Sequence, residues 1–155
     1  METIANAYRT PSLTAGGFWY HFDYSTIARG PHEDKNMTTS HPEWIWHDGN
    51  WVRWEEATVH VTAHALHYGS SAFEGIRAYE TPGGPAVFRL PEHIVRFFDS
   101  AKLLRMEMGD LNHDRVTELC LEIVARNEHK SCYIRPLAFR GSGAMGLNPV
   151  NNPTV

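Results

Sequence analysis

Cysteine is scarce in this chain. Cys120 and Cys132 are its only two, too few for a disulfide framework, and reduced thiols are expected. Long apolar runs are missing, so no stretch has the length to cross a bilayer as a helix. The N-terminus has neither the basic start nor the apolar run of a secretory signal. The expected compartment is therefore cytoplasmic. Positive charge is in deficit, with 14 Lys and Arg against 18 Asp and Glu, a formal net charge of −4. Nothing in that balance points to nucleic acid or an anionic membrane as a general partner. The 10 histidines shift the charge upward in mild acid. Lysine is rarer still: Lys35, Lys102 and Lys130 complete the set.

What is present suits a globular domain. With 155 residues, 42% of them hydrophobic and 21% charged, the chain supports one domain with a real core. Residues 1–40 read differently. Thr10-Pro11-Ser12, Gly16-Gly17, Arg29-Gly30-Pro31 and Thr38-Thr39-Ser40 break any periodicity. The aromatic cluster Phe18, Trp19, Tyr20, Phe22 and Tyr24 could dock on the body or on a partner. A poorly ordered extension is the expectation. Met37 would itself make a chain start.

The elements follow from patterning. Trp44 to Trp54 reads as a hairpin about Asp48-Gly49, the dipeptide that a primed turn prefers, with Trp46 opposite Trp51. Val59-His60-Val61 reads as an extension of the sheet. Ile76 to Arg89 forms a second hairpin around Pro82-Gly83-Gly84-Pro85. A helix starts at Pro91, with the apolar stripe Ile94, Phe97, Phe98, Ala101, Leu104 and Met108. Asn112 caps the next helix, whose stripe is Val116, Leu119, Cys120, Ile123 and Val124. Cys132 to Phe139 reads as one strand buried on both faces. The fold class is α+β: one mainly antiparallel sheet, including the Trp hairpin, covered by two helices.

Candidate chemistry begins at the stretch from His64 to Tyr79. As a strand it places Phe73, Gly75, Arg77 and Tyr79 on one face. An aromatic ring, a missing side chain and a fixed cation make a floor for a flat anion. Tyr133 and Arg135 share a face of a second strand. An arginine in so apolar a run needs an anionic partner, which a core carboxylate such as Glu74 or a bound acid would supply. His60, His64 and His67 would line one face of a helix, but no carboxylate or cysteine pair accompanies them, and no metal site is expected. Arg96 lies off its helix stripe and reads as a solvated residue paired with Asp99 or Ser100. Gly141 to Gly146 has the glycine spacing of a dinucleotide-binding turn. Leu147-Asn148-Pro149 cannot continue as the required helix, so a nucleotide fold is rejected. A glycine loop lying against a ligand or a neighbouring subunit fits better.

The His64–Tyr79 stretch, Tyr133-Ile134-Arg135-Pro136-Leu137 and Gly143-Ala144-Met145-Gly146-Leu147-Asn148-Pro149 together resemble the branched-chain amino-acid aminotransferases. These are pyridoxal 5'-phosphate enzymes of fold type IV. The resemblance runs from about Trp44 to Pro149 and covers the family's N-terminal small domain. It implies an extension over 1–40, a small domain over 41–149 and the start of an interdomain linker over 150–155. It implies a homodimer or higher homo-oligomer and amino transfer from leucine, isoleucine or valine to 2-oxoglutarate.

By the same resemblance Arg96, in His93-Ile94-Val95-Arg96, anchors the cofactor phosphate, which reverses the solvated reading. Phe73, Gly75 and Tyr133 line the substrate pocket, and Tyr133 bonds the α-carboxylate. Arg135 meets the side-chain carboxylate of glutamate, and Arg77 supports this shell. Tyr68 and Leu147 wall the partner's pocket across the dimer. The histidines sit near the dimer contact or shape the turn. None of the three lysines stands in the family's Schiff-base context, so no catalytic residue is assigned. The chain reads as a fragment without turnover of its own, most simply a partial record of a longer gene, with an exposed apolar patch on its sheet. D-amino-acid aminotransferase and aminodeoxychorismate lyase share the fold and are the nearest alternatives. A non-catalytic dimerisation module is the alternative from another class.

Overall fold

The computed structural model describes residues 41–155. The aromatic cluster at 18–24 and the extension over 1–40 lie outside the described residues. From Pro42 onward the chain forms one compact unit, of mixed helices and antiparallel strands, as expected.

The first hairpin pairs β1 (Trp44–His47) with β2 (Asn50–Arg53), with Trp46 opposite Trp51. Asp48 and Gly49 both adopt positive φ, 45° and 86°, as a two-residue primed turn requires. The hairpin is a separate two-stranded sheet, not an extension of the main one. It docks on α3 (His113–Arg126) through Asn127. The Asn127 side chain accepts from the Trp44 amide at 2.9 Å and donates to the Trp44 carbonyl at 3.0 Å. Arg126 lies over the rings of Trp44 and Trp51, so the tryptophans are covered on that side. Val59-His60-Val61, expected to extend a sheet, is irregular and exposed.

A five-residue helix, α1 (His64–Tyr68), follows and ends at Gly69 with φ 67°. His60 therefore falls outside it, and the three histidines disperse. His64 Nδ1 meets Ser70 Oγ at 2.7 Å, while His67 Nε2 donates to the Val61 carbonyl at 2.9 Å. Among the described residues no group of three His, Cys, Asp or Glu is placed to hold a metal.

The remaining strands form two separate antiparallel sheets laid end to end. β3 (Ser71–Phe73) pairs with β7 (Leu137–Phe139), and β4 (Ile76–Thr81) pairs with both β5 (Gly84–Val87) and β6 (Cys132–Ile134), all antiparallel. The strand expected over Cys132–Phe139 is thus broken at Arg135-Pro136. Pro136 has no N–H to give the ladder. Its carbonyl accepts from the Glu74 amide at 3.0 Å and joins the halves.

Alternation carries through both breaks. Ala72, Glu74, Ile76, Ala78, Ile134 and Ala138 point inward and are buried. Phe73, Arg77, Tyr79, Tyr133, Arg135 and Leu137 point outward and are exposed. One face is therefore covered, not both, and the other carries the expected apolar patch: Phe73, Tyr133 and Leu137 are each at least half exposed.

Two helices cover the inner face. α2 (Leu90–Leu103) starts one residue before the expected Pro91, after Arg89 at φ 49°, and buries Leu90, Ile94, Phe97 and Ala101. In α3, Asn112 caps by accepting from the Arg115 amide at 2.8 Å, and Val116, Leu119, Cys120 and Val124 are buried. Burial in this core pushes the Cys120 thiol up to about 12. Cys120 should therefore react with a thiol reagent at pH 8 only as fast as the chain unfolds, which denaturant-dependent labelling measures.

The last residues return to the domain. The Phe139 amide donates to the Val155 carbonyl at 3.0 Å, the Val155 amide donates back at 2.9 Å, and Asn152 is buried. The segment 150–155, which the sequence presents as the start of a linker, thus lies along β7. The loop from Gly141 to Gly146 leads only to a three-residue 3-10 turn, Pro149–Asn151, in keeping with the rejection of a dinucleotide fold.

Candidate active site

On the open face the register sets Arg77 directly opposite Tyr133. Tyr133 lies across Gly75: a Cβ built there would stand 2.3 Å from the tyrosine oxygen. The glycine is thus needed first for the Tyr133 ring, not for a ligand. Arg135 Nη2 donates to the Tyr133 hydroxyl at 2.7 Å, and its guanidinium sits 4.4 Å above the centroid of Phe73 and 5.1 Å from that of Tyr133. Sequence reasoning asks for an anionic partner for Arg135. The side chain is exposed, so no burial penalty demands one, and two ring faces stabilise the cation instead. Phe73, Gly75, Tyr133 and Arg135 converge, with Arg77 adjoining. Two cations and two rings on one solvent-facing surface suit a flat carboxylate with an apolar tail. The face is open. A cleft of about 470 Å³ lies elsewhere, beside Phe98, Lys102, Met108 and His113.

Glu74 turns the other way, into the seam between the sheet and α2, and is 4% exposed. Its partner is not Arg135. Arg96 Nε donates to Oε1 at 2.5 Å and Nη2 to Oε2 at 2.6 Å, a two-pronged bridge, and His93 Nδ1 meets Oε2 at 2.9 Å. The Nδ1–H tautomer of His93 is assigned from that contact. Arg96 therefore pairs with neither Asp99 nor Ser100, and its side chain stays 67% exposed. The hydrogen bond from Arg96, against the opposing cost of burial and with help from His93, holds the Glu74 carboxyl at about 2.

The spacing of His93 and Arg96, three apart on one helix, is the signal in the sequence for a shared acid. A carboxyl depressed in the folded state stabilises fully above its unfolded value and loses that contribution as pH falls. The chain should lose on the order of 2 kcal/mol, discounted for the exposed Arg96 edge, between about pH 4.5 and 2. Glu74→Gln should flatten that part of an acid-denaturation curve followed by circular dichroism.

Tyr68 and Leu147 stand apart. Tyr68 is 47% exposed and packs on the His64 ring at 4.5 Å, and Leu147 is 82% exposed. Among the described residues no hydrogen bond or ring contact joins either to the Phe73–Arg135 cluster. Of the lysines, Lys102 lies in α2 and Lys130 pairs with Glu80 at 3.3 Å. Lys35 lies outside the described residues.

The uncovered face of this α+β unit thus brings arginines and aromatic rings together. The family model for class IV amino-transferases matches residues 71–155. The Escherichia coli K12 branched-chain-amino-acid aminotransferase is 50% identical over 113 residues, which cover 73% of this chain and 36% of that protein. A putative branched-chain-amino-acid aminotransferase of Methanocaldococcus jannaschii is 39% identical over 113 residues, covering 72% and 38%. Among solved structures, the T.th. branched-chain amino acid aminotransferase complexed with N-(5'-phosphopyridoxyl)-L-glutamate is 54% identical with a TM-score of 0.71, over 74% of this chain and 38% of that one. The chain belongs to the class IV aminotransferases. It spans a little over a third of the length of the relatives it matches.

Proposed function

We propose that this chain contributes the small domain of a pyridoxal-phosphate-dependent transaminase acting on leucine, isoleucine and valine, with 2-oxoglutarate as acceptor. The carrying observation is the pairing of two ready groups: the Arg135–Tyr133–Phe73 cluster on the open sheet face, and Arg96 held at the strand break by Glu74. The relatives' names and the compound bound in the T.th. structure support the substrate and cofactor class.

The residues fit the cofactor's phosphate. Arg96 commits Nε and Nη2 to Glu74, and its Nη1 has no partner among the described residues. Arg96 would hold the phosphate through that edge. When bound, pyridoxal phosphate supplies an electron sink for bond cleavage at the amino-acid α-carbon.

The chain's own residues bind and orient. The Tyr133 hydroxyl donates to the α-carboxylate, and Arg135, released from Tyr133, meets the distal carboxylate when glutamate is the donor. Phe73 walls the pocket, and Gly75 leaves room for the Tyr133 ring. Arg77, beside Tyr133, keeps that face positive. Tyr68 and Leu147, exposed and apart from the cluster, serve as the apolar wall of a second subunit's pocket in a homodimer. Selectivity from such a wall is modest, about 1–3 kcal/mol per methylene. The enzyme works in the cytoplasm. Residues 42–155 form the domain.

A chimera tests the proposal. In it, this chain's matching segment replaces the corresponding 113 residues of the Escherichia coli relative. The chimera should transaminate leucine within about tenfold of the parent's kcat/KM, since both segments would place the same interactions in the transition state. A folded chimera without activity contradicts it.

A further inference from the structure

The pocket of the proposed enzyme takes its shape from residues that touch ligand. One buried group, Glu74, instead faces a cation that is 67% exposed, Arg96. We propose that Glu74, steadied by His93, is a positioning residue that fixes the Arg96 guanidinium so that its outer edge is presented ready-made to a phosphate group. This rests on the reading of Arg96 as the phosphate anchor given above.

Three observations carry it. Glu74 is 4% exposed while Arg96 is 67% exposed, so one end of the bridge is rigid and the other wet. The bridge is two-pronged, through Nε and Nη2, and a planar fork held at two points has one orientation. Nη1, the edge turned away from the carboxylate, is left for a second anion. Without Glu74, an arginine this exposed would sample many rotamers, and each anion bound would have to order it. His93 occupies the remaining side of Oε2 at 2.9 Å, which stops the carboxylate from swinging with the arginine.

Charge alone acts in the opposite sense. Glu74 is an anion near a proposed anion site, and by charge alone its removal would tighten phosphate binding. If positioning dominates, removal loosens it. At the start of the same helix, Arg89 and Glu92 pair with each other at 3.1 Å in solvent and contribute little net field.

The test uses the full 155-residue chain and nuclear magnetic resonance of the arginine Nε–H signals, titrated with inorganic phosphate and, in parallel, with pyridoxal phosphate and phosphate-free pyridoxal. In the parent, the Arg96 Nε–H should be slow to exchange and should shift on adding phosphate or pyridoxal phosphate, but not pyridoxal. In Glu74→Gln the Nε–H protection should fall at least tenfold, and the apparent phosphate Kd should rise about fivefold or more. Glu74→Asp, which keeps the charge on a shorter arm, should restore part of both. Unfolding midpoints of each variant, read by circular dichroism, separate loss of fold from loss of orientation.

Phosphate binding unchanged or tighter in a folded Glu74→Gln variant overturns the positioning role, while the anchor reading stands. Phosphate and pyridoxal phosphate that bind alike to the parent and to Arg96→Ala overturn the anchor reading itself. So does a parent that shows no Arg96 response up to about 100 mM phosphate, roughly the top of the weak-binding range.

Discussion

Incubated with leucine, 2-oxoglutarate and pyridoxal phosphate, the 155-residue chain should form no glutamate above a protein-free blank. The expectation follows from its lysines. Transamination by this family needs an amine that bonds the cofactor and carries protons at the substrate α-carbon. Lys102 lies on α2 away from the Phe73–Arg135 face, and Lys130 is engaged with Glu80. Lys102 borders the cleft beside Phe98 and Met108 but is itself exposed, and Lys130 stands in solvent, so neither has the desolvated setting that makes a lysine nucleophilic. The sheet face supplies orientation and charge, and those alone leave the difficult proton transfer without a base. The blank matters because the free cofactor reacts slowly on its own. Coupled detection of glutamate, with the Escherichia coli relative as positive control, reads the difference. Leucine-dependent glutamate formation that scales with chain concentration would show a base where none has been found.

Replacing Gly75 with alanine in the chimera should lower kcat/KM for leucine on the order of a hundredfold, the usual scale for misplacing a binding group by about 1 Å. The cause is local. The new Cβ would sit 2.3 Å from the Tyr133 oxygen and 3.1 Å from the ring carbon that bears it. One of the two must move. Tyr133 is half exposed, so its ring swings out with little loss of folding free energy. The swing breaks the bond from Arg135 and withdraws the hydroxyl proposed to take the α-carboxylate. The expected signature is therefore an unchanged unfolding midpoint, within about 1 kcal/mol, with a large loss in turnover. A variant that loses stability and activity together would instead mark Gly75 as a folding residue. Tyr133→Phe in the same background should lose less, because the ring keeps its place and only the hydroxyl is gone.

Much of this is legible in the order of residues alone. Alternation puts Phe73, Arg77 and Tyr79 on one face, and it survives two breaks in the ladder. Asp48-Gly49 sets its turn, Asn112 its cap, and the stripes of α2 and α3 their buried sides, because each depends on neighbours close in sequence. What escapes is longer in range. The strand through Arg135-Pro136 reads as continuous because its apolar content outweighs one proline, yet a missing N–H decides the ladder locally. The Trp hairpin reads as part of the main sheet because sequence shows which residues make strands, not which strand they pair with. Arg126 and Asn127, at the far end of α3, show where it docks. Arg135, an arginine among apolar residues, reads as needing an anion, from Glu74 or a bound acid, when the demand for a partner comes from the buried Glu74 itself. Gly75 reads as space for a ligand. The structure gives that space to Tyr133, a residue 58 positions on, and no local pattern announces such a contact.

The most direct measurement is a crystal structure of the chimera with N-(5'-phosphopyridoxyl)-L-glutamate, the compound bound in the T.th. relative. The account predicts Arg96 on the phosphate with Glu74 still behind it, the Tyr133 hydroxyl on the α-carboxylate, and Arg135 moved from Tyr133 to the distal carboxylate. A ligand seated with its phosphate away from Arg96, or its carboxylates away from the Phe73–Arg135 face, would contradict it.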